Sequence, residues 1–190
     1  IQAFLQTVLE SSTGVSMIAT DLNGLITLFN PGAESLLGFS AEEMVGKQTP
    51  AILHLEREML RRSVELSAEA GHPVAGFDVF TYRARQGRTE TRQWTYLQKN
   101  GGFRQVMLTI SPLIGSEGEL SGFFGVATDI SELVKTSLAL KDSEKRYRGM
   151  LSNLPGAIYR CLDNRDWTLL HVSDEIERIT GYPASDFIDN

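Results

Sequence analysis

The chain has 190 residues, of which 42% are hydrophobic and 22% charged, a composition typical of one or two globular domains. Its formal net charge of −6 argues against a protein that binds nucleic acid without sequence preference, since such proteins are normally basic. The single cysteine, Cys161, excludes a disulfide framework and a cysteine-rich metal site within one chain.

Hydropathy bears on the cellular location of the chain, and its first residue bears on whether it is part of a longer protein. The longest uncharged apolar stretch, GFFGVA, is far too short to cross a bilayer, and no signal peptide is visible. We therefore expect a cytoplasmic fragment without membrane contact of its own. Because the chain begins at Ile1 rather than methionine, we expect it to belong to a longer protein, whose other parts can include a membrane anchor.

The first elements are a helix and a hairpin. The apolar spacing in residues 1–11 predicts a helix with one buried face. Its candidate residues for a homodimer face are Phe4, Leu5, Val8 and Leu9. The stretch VSMIATDLNGLITLFN then predicts strand, turn and strand, and Asn23-Gly24 suits the positive φ angles of a two-residue hairpin.

Two short helices follow, and their ends are marked. Asn30 is predicted to cap the first, with Pro31 at its first position, where a missing N–H costs nothing. Gly38 is a typical C-terminal signal for that helix. Ser40 begins the second, and its spacing from Glu43 predicts a capping box.

Residues 51–70 predict the longest helix of this half, with an i,i+4 ion pair between Glu58 and Arg62. Gly71 and Pro73 follow it and are expected to end it. The predicted apolar stripe of this helix is Leu55, Met59, Leu60 and Val64.

The pattern then changes to period two. TRQWTYLQKN, FRQVMLTISPLI and SGFFGVATDIS predict three strands, and in the middle one Val106, Leu108 and Ile110 share a face. Five strands joined by hairpins or helices predict an α+β fold, an antiparallel sheet with the helices packed on one face.

From about Ile130 to Leu154 the sequence is helical again. Leu133, Leu140 and Tyr147 recur every seven residues, but the companion positions are only half apolar. A two-stranded coiled coil and a solvated connecting helix are therefore equal alternatives. GAIYRCLD, DWTLLHVS and DEIERITGY then repeat the early strand, strand and helix, which indicates duplicated domains rather than a solenoid.

This order resembles a PAS domain over roughly residues 1–131. The resemblance is carried by TDLNGLITLFNPGAESLLGFSAEEMVG and WTYLQKNGGFRQVMLTISPLIGSEGELSGFFGVATDIS, whose ending is similar to the Asp-Ile-Thr signature with Ser131 in the last place. SEKRYRGMLSNLPGAIYRCLDNRDWTLLHVSDEIERITGYPASDF resembles the first part of another PAS domain. The resemblance implies a first domain with an N-terminal helix at 1–131, a linker helix at 132–146 and an incomplete second domain at 147–190.

Tandem PAS domains resemble the input region of bacterial signalling proteins. We find no Walker loop, GxSxG, HExxH or useful Cys-His spacing, so we expect this fragment to be regulatory rather than catalytic. The resemblance implies a downstream output domain, with a sensor histidine kinase as the first candidate. The input region of a diguanylate cyclase or phosphodiesterase of the GGDEF/EAL type is an alternative.

A PAS-like sheet with helices on one face can hold a small ligand or cofactor between them. Ordinary core packing is the competing interpretation for each lining residue. The candidate binding residues are Met17, Ile26, Asn30, Met59, Trp94, Tyr96, Val106, Leu108, Ile110 and Phe124.

Three cofactors can be weighed. Haem needs an axial ligand, but His54 and His72 are both expected at the surface or as caps. Photochemical flavin of the light-oxygen-voltage type needs a reactive cysteine, which the first domain lacks. Non-covalent FAD, with Trp94 stacking and Asn30 or Gln93 bonding its edge, ranks before haem, and the cofactor is otherwise open.

Signal relay is the role that the resemblance favours most. Asp129 ends the last strand, and we expect it either to accept a hydrogen bond that holds the junction or simply to cap the following helix. Together with Ile130 and Leu133 it would pass a two-state change of the sheet to the linker helix. The alternative is a cofactor-free interaction module that only dimerises through the N-terminal and linker helices.

Overall fold

The computed structural model describes residues 7, 9–152, 156–165 and 167–188. The chain divides into two compact units, Ile1–Val134 and Lys135–Asn190. Of the predicted N-terminal helix, residues 9–11 are helical, while the candidate dimer residues Phe4, Leu5 and Val8 lie outside the described residues.

The first unit contains a five-stranded antiparallel sheet in the order β2-β1-β5-β4-β3. Its strands are β1 (Ser16–Thr20), β2 (Ile26–Phe29), β3 (Glu90–Leu97), β4 (Phe103–Ile114) and β5 (Leu120–Asp129). The last strand therefore lies in the centre, between β1 and β4. The predicted α+β fold with five antiparallel strands is confirmed.

The helices that cover the sheet lie between β2 and β3 in the sequence. They are α1 (Pro31–Leu37), α2 (Ala41–Met44), a 3-10 helix (Pro50–Leu53), α3 (Glu56–Ala70) and α4 (Asp78–Arg85). Leu37, Met44 and Leu53 from these helices form one buried cluster with Ile18 and Val106 of the sheet. The helices thus cover one face of the sheet, and the hydrophobic core lies between the helices and the sheet.

Helix α4 is an element that the sequence analysis missed. Its sequence DVFTYRAR is rich in β-branched and aromatic residues, which favour strands in isolation. The helical signal was the spacing of Phe77, Phe80, Thr81 and Ala84, which places them on one face toward the core. Tertiary packing of that face decides the helix.

The loop between β1 and β2 is longer than the predicted two-residue turn, because it spans residues 21–25. The Asp21 carboxylate accepts hydrogen bonds from the backbone N–H groups of Asn23 (2.9 Å) and Leu25 (2.8 Å). Gly24 has a φ of 87°, and Asn23 does not adopt a positive φ. Capping by Asp21 replaces the tight turn expected from Asn-Gly.

Helix α3 presents a different face from the predicted one. Leu60 and Val64 are 60% and 71% exposed, whereas Arg62 is buried. The Arg62 guanidinium pairs with Glu90 at the start of β3 and with Glu65 (3.1 Å), so the expected Glu58–Arg62 pair is wrong among the described residues. Met59 of the predicted stripe still packs against the core, so the Leu60 and Val64 part of the stripe is the part that faces solvent.

The second unit is described by itself. Helix α5 (Ser131–Ser152) crosses the boundary between the units and extends beyond the predicted linker at 132–146. The described residues then form an antiparallel pair, β6 (Tyr159–Cys161) and β7 (Leu169–Val172), followed by α6 (Glu175–Thr180) and a 3-10 helix (Ala184–Phe187). Their assignment to a second PAS domain stays a prediction.

Asn30 holds the entry to α1 in place, as its predicted capping role requires. Its Oδ1 accepts hydrogen bonds from the N–H groups of Ala33 (2.9 Å) and Met17 (2.8 Å). Its Nδ2 donates to the carbonyls of Ser12 (2.8 Å) and Val15 (3.0 Å). Both donors and both acceptor positions of this buried amide are used by backbone, so it has no capacity left for a ligand.

Replacing Asn30 by Ala is expected to lower the free energy of unfolding by about 3 kcal/mol, because four buried or half-buried backbone groups lose a hydrogen-bond partner. Ser40→Ala, which removes an exposed cap, is expected to cost about 1 kcal/mol. Urea unfolding followed by Trp94 fluorescence in a Trp167→Phe background measures both. Equal losses in the two variants would show that the Asn30 amide has no special structural role.

Candidate functional site

A cavity of about 30 Å³ lies between the sheet and the helices of the first unit. Its walls are mostly aromatic and aliphatic, and among the described residues none of them is a Lys, Arg, Asp or Glu. Thr20, His54 and Thr81 supply the polar atoms. The core is thus suited to an uncharged occupant rather than to an ion.

The size of this cavity tests the expected cofactors. A volume of about 30 Å³ accommodates about one water molecule. Pockets for drug-sized ligands measure roughly 300–1,000 Å³. Neither the isoalloxazine ring of FAD nor a haem fits between the sheet and the helices in this conformation.

His54 is buried, which corrects its predicted position at the surface. It follows the 3-10 helix, and its ring lies 4.3 Å from that of Phe80, 5.0 Å from Trp94 and 4.9 Å from Tyr96 between centroids. Burial lowers the pKa of His54 to about 3, so the ring is neutral at physiological pH. His72 is exposed, as expected.

Two polar atoms beside the cavity are unsatisfied. His54 Nδ1 and Thr20 Oγ1 are buried and have no hydrogen-bond partner among the described residues. Leaving such atoms unpaired is costly, and a small hydrogen-bonding occupant of the cavity would relieve that cost. This pair of atoms is the chemical feature that distinguishes the cavity from an ordinary packing gap.

Eight of the ten candidate binding residues lie in the core or near it. Three line the cavity: Tyr96, Leu108 and Ile110. Four belong to the packed core around it: Ile26, Met59, Trp94 and Val106. Asn30 is buried, but its amide is committed to the backbone around α1.

Met17 and Phe124 point to the other face of the sheet. Their neighbours Ile18 and Phe123 line the cavity, and successive side chains of a strand alternate between faces. The sequence does not separate these neighbours, because both members of each pair are apolar. A shift of one residue therefore inverts the assignment.

Sequence reasoning missed the contributions of the segments between the strands. Phe80 and Thr81 come from the unpredicted helix α4, and Phe77 precedes it. Gly125 on β5 lies opposite Ile18 and Ile110 in the sheet, and its missing side chain leaves room at the cavity wall. Only the helical spacing of the α4 residues was available as a signal.

Hydrogen bonds hold the junction between β5 and α5, and the Asp129 bond among them fits both predicted roles, a junction contact and a cap of the following helix. Asp129 Oδ1 accepts from the Ser131 N–H (2.8 Å), and the Ile130 N–H donates to the carbonyl of Gln105 on β4 (2.8 Å). Ser131 Oγ accepts from the Gln105 N–H (2.9 Å). Leu133 is 70% exposed, so it does not take part in this junction through core packing.

The side chain of Gln105 continues these contacts across the sheet. Its Nε2 donates to Thr95 Oγ1 on β3 (2.9 Å), and its Oε1 accepts from Gln93 (2.9 Å). Thr95 in turn donates to Glu58 of α3 through Oγ1 (2.7 Å) and N–H (2.8 Å). Gln93 therefore serves the sheet rather than a ligand, which corrects its expected role.

Thr95 connects this series of bonds to the cavity. It lies between Trp94 and Tyr96, whose rings both contact His54, and the backbone of Tyr96 pairs with that of His54. Burial raises the pKa of Tyr96 well above its usual range, so its hydroxyl stays protonated. A continuous path of contacts runs from the cavity wall to the first residues of α5.

The strand order and the helices on one face define an α+β domain built on a five-stranded antiparallel sheet. In agreement, the family model described as the PAS fold matches residues 3–130. The chain therefore belongs to the PAS family.

Two solved structures illustrate the likeness of fold. The PAS domain of a Colwellia psychrerythraea protein superposes with a TM-score of 0.51 at 23% identity, covering 70% of this chain and 99% of that chain. An RNA-binding light-oxygen-voltage receptor superposes with a TM-score of 0.58 at 16% identity, covering 76% of this chain and 37% of that chain. No curated protein matches the sequence.

Neither a membrane-spanning helix nor a cluster of metal ligands is found among the described residues. Within residues 7, 9–152, 156–165 and 167–188, no helix combines the length and the apolar character that a membrane span needs. In the same part of the chain, no three His, Cys, Asp or Glu side chains are grouped so that they could hold a metal ion.

The buried His54 is expected to make stability depend on pH. Its folded pKa lies below its unfolded value, so between about pH 6.5 and 3 the unfolded state binds more protons and stability falls as the pH falls. His54→Leu should reduce the slope of unfolding free energy against pH in this window by up to about 1.4 kcal/mol per pH unit. Urea unfolding at several pH values measures the slope.

Leu66→Ala supplies the control for this experiment, because it removes a buried side chain that does not titrate and should therefore lower the stability while leaving the slope unchanged. If His54→Leu retains the slope of the unmodified chain, then His54 is not the buried neutral group described above.

Proposed function

We propose that the first unit is the sensory input and relay module of a bacterial signal-transduction protein. The observation that carries this proposal is the path from the cavity to α5. It joins the His54–Tyr96 contact, the Thr95–Gln105 hydrogen bond and the bonds of Gln105 to Ile130 and Ser131. A change at the cavity wall has a short mechanical route to the start of the helix.

The mechanism is a two-state equilibrium of β3 and β4. A ligand that binds only one arrangement of Tyr96 and His54 shifts the adjoining Thr95, and Gln105 then gains or loses its hold on Ser131. The first turn of α5 changes its angle or register in response. Such a ligand acts only through its different affinity for the two states.

The ligand that suits this core is small and uncharged. The cavity offers aromatic walls together with the unsatisfied His54 Nδ1 and Thr20 Oγ1. The light-oxygen-voltage receptor named above is similar to this chain in fold alone, at 16% identity. The cavity volume argues against FAD and haem in this chain.

The module acts on an output domain outside the chain. We propose a histidine kinase first, and a diguanylate cyclase or phosphodiesterase second, in a cytoplasmic setting. The coding sequence downstream of Asn190 tests this, because a kinase phosphoacceptor pattern and a GGDEF pattern are readily told apart. A downstream sequence with neither pattern would contradict both proposals.

A second function, a cofactor-free interaction module, is favoured by a specific observation. The cavity is small, and α5 exposes Leu133, Leu140 and Tyr147 at seven-residue spacing, with exposed fractions of 70%, 64% and 63%. Such a stripe is suited to a two-stranded coiled coil between two copies. Relay and dimerisation are compatible, since a dimer through α5 would receive the change at Ser131.

The relay is tested by amide hydrogen exchange at Ile130, Ser131 and Val134 in the full chain. Thr95→Val removes the bond that holds the Gln105 side chain and should speed exchange there about fivefold, because one hydrogen bond contributes about 1 kcal/mol. Ser131→Ala should also speed exchange at these amides, because it removes the Oγ that accepts the hydrogen bond from the Gln105 N–H.

Thr109→Val is the matched control for the relay test. Thr109 also lies in the sheet, and its Oγ1 forms a cross-strand bond of 2.9 Å with Thr91 away from Gln105. It should leave exchange at the three amides unchanged. If Thr95→Val and Thr109→Val change the exchange rates of the three amides equally, the proposed path does not couple the cavity wall to α5.

The dimer is tested by sedimentation of the full chain. Leu140→Lys should convert a dimer into a monomer, because it places a charge in the exposed stripe. Leu138→Lys changes a similarly exposed leucine on the opposite side of the helix and should leave the dimer intact. An unmodified chain that is monomeric at micromolar concentration would contradict the proposed dimerisation through α5.

A further inference from the structure

A second cavity, of about 260 Å³, lies at the junction end of the first unit. Its walls include Thr13, Ser16, Ser35, Arg104 and Asp129. Unlike the core cavity, it contains both a cation and an anion. Its volume is several times that of the core cavity and suits a molecule of a few heavy atoms rather than a nucleotide.

The two charges in this cavity are only loosely paired. Arg104 Nε lies 3.7 Å from Asp129 Oδ2, which is too long for a good hydrogen bond, and the side chains are 45% and 39% exposed. Asp129 Oδ1 is already used by the Ser131 N–H. Among the described residues no other partner of the Arg104 guanidinium is found, so its donors can bind a planar carboxylate.

The wall of the cavity also contains an unsatisfied hydroxyl. Ser16 is 2% exposed, and its Oγ has no hydrogen-bond partner among the described residues. Thr13 and Ser35 add exposed hydroxyl side chains at the rim. Hydroxyl groups of this kind complement a polar ligand and have no role in the packing of the apolar core.

We propose that this junction cavity binds a small acid that carries a neighbouring hydrogen-bond donor, the class of α-amino and α-hydroxy acids. The carboxylate binds the Arg104 guanidinium, and the amino or hydroxyl group donates to Asp129 Oδ2. Binding separates Arg104 from Asp129, the residue that holds the Ser131 N–H. The site is thus a second input that reaches α5 without passing through the core cavity.

The test is a titration of the ¹⁵N-labelled full chain with L-alanine and, separately, with lactate at millimolar concentration. Both probes should shift the amides of Gly14, Gly32 and Ser131 in a saturable way. Arg104→Gln should lower the affinity for both probes about tenfold or more, because it removes the charged guanidinium group that binds the carboxylate. Arg88→Gln, which changes an exposed arginine outside the cavity, should leave both affinities unchanged.

Asp129→Asn gives a readout that a purely structural role would not produce. It should lower the affinity for L-alanine more than the affinity for lactate. The ammonium group of L-alanine pairs with the carboxylate, whereas the hydroxyl of lactate can also donate to an amide oxygen. No saturable shift with either probe, or equal affinity in the Arg104→Gln chain, would overturn the proposal.

The consequence for α5 rests on the proposed relay function, and the two can fail separately. The Thr95→Val chain should still bind both probes, because Thr95 lies outside this cavity. Shifts at Gly14 and Gly32 without one at Ser131 would support the binding site and contradict its coupling to the helix.

Discussion

The structure of the first unit depends on the antiparallel pairing of its first strand, β1, with its last, β5. This pairing places Ile18 opposite Gly125 and Ser16 opposite Ala127 at the centre of the sheet. Because β5 is central, its end at Asp129 lies beside β4 rather than at a free edge. The helices inserted between β2 and β3 then have a single apolar face to cover.

The same pairing places the core cavity and the helix junction on shared strands. Gly125 lies at the cavity, while Asp129, further along the same strand, leads into α5. Strand β4 contributes Leu108 and Ile110 to the cavity and Gln105 to the junction. Few residues therefore separate a possible ligand from the element that leaves the domain.

Polar contacts determine how α3 closes the opposite edge of the sheet. Glu58 accepts two hydrogen bonds from Thr95 on the edge strand, and Glu65 pairs with Arg92 (2.9 Å). Arg92, followed by Arg62, holds the pKa of Glu65 below its usual range. The edge is thus covered by charged side chains, which also protects it against pairing with other chains.

Much of the fold could be predicted because its signals are local. Asn30 and Ser40 cap the helices that they were expected to cap, since a cap depends on a few neighbouring residues. The alternation in β4 likewise identifies Val106 and Leu108 as inward-facing, because the opposite face carries the polar residues Gln105, Thr109 and Ser111 beside Met107. The strand assignments and the PAS resemblance depend on such signals.

The candidate site was harder to predict because it depends on distant contacts. His54 is buried by rings from Phe80, Trp94 and Tyr96, which no local pattern brings together. The faces of β1 and β5 were inverted at Met17 and Phe124 because adjacent residues are equally apolar. The partner of Arg62 was likewise not predictable from local spacing, because Glu90 lies far along the chain.

The size of the core cavity bears on the balance between sensing and interaction. A tightly packed core with two unsatisfied polar atoms is consistent with a small uncharged occupant and is too small for a large cofactor. Such a core can still transmit strain, because packed interiors respond to small displacements as units. Relay through the sheet therefore does not require a large ligand.

The proposed relay requires that the cavity wall and the start of α5 are energetically coupled. A double-mutant cycle of His54→Leu and Ser131→Ala, measured as the opening free energy of the Val134 amide, tests this coupling. We expect an interaction energy of about 0.5–1 kcal/mol, because the two residues are joined through Tyr96, Thr95 and Gln105. Additive effects, to within about 0.3 kcal/mol, would contradict it.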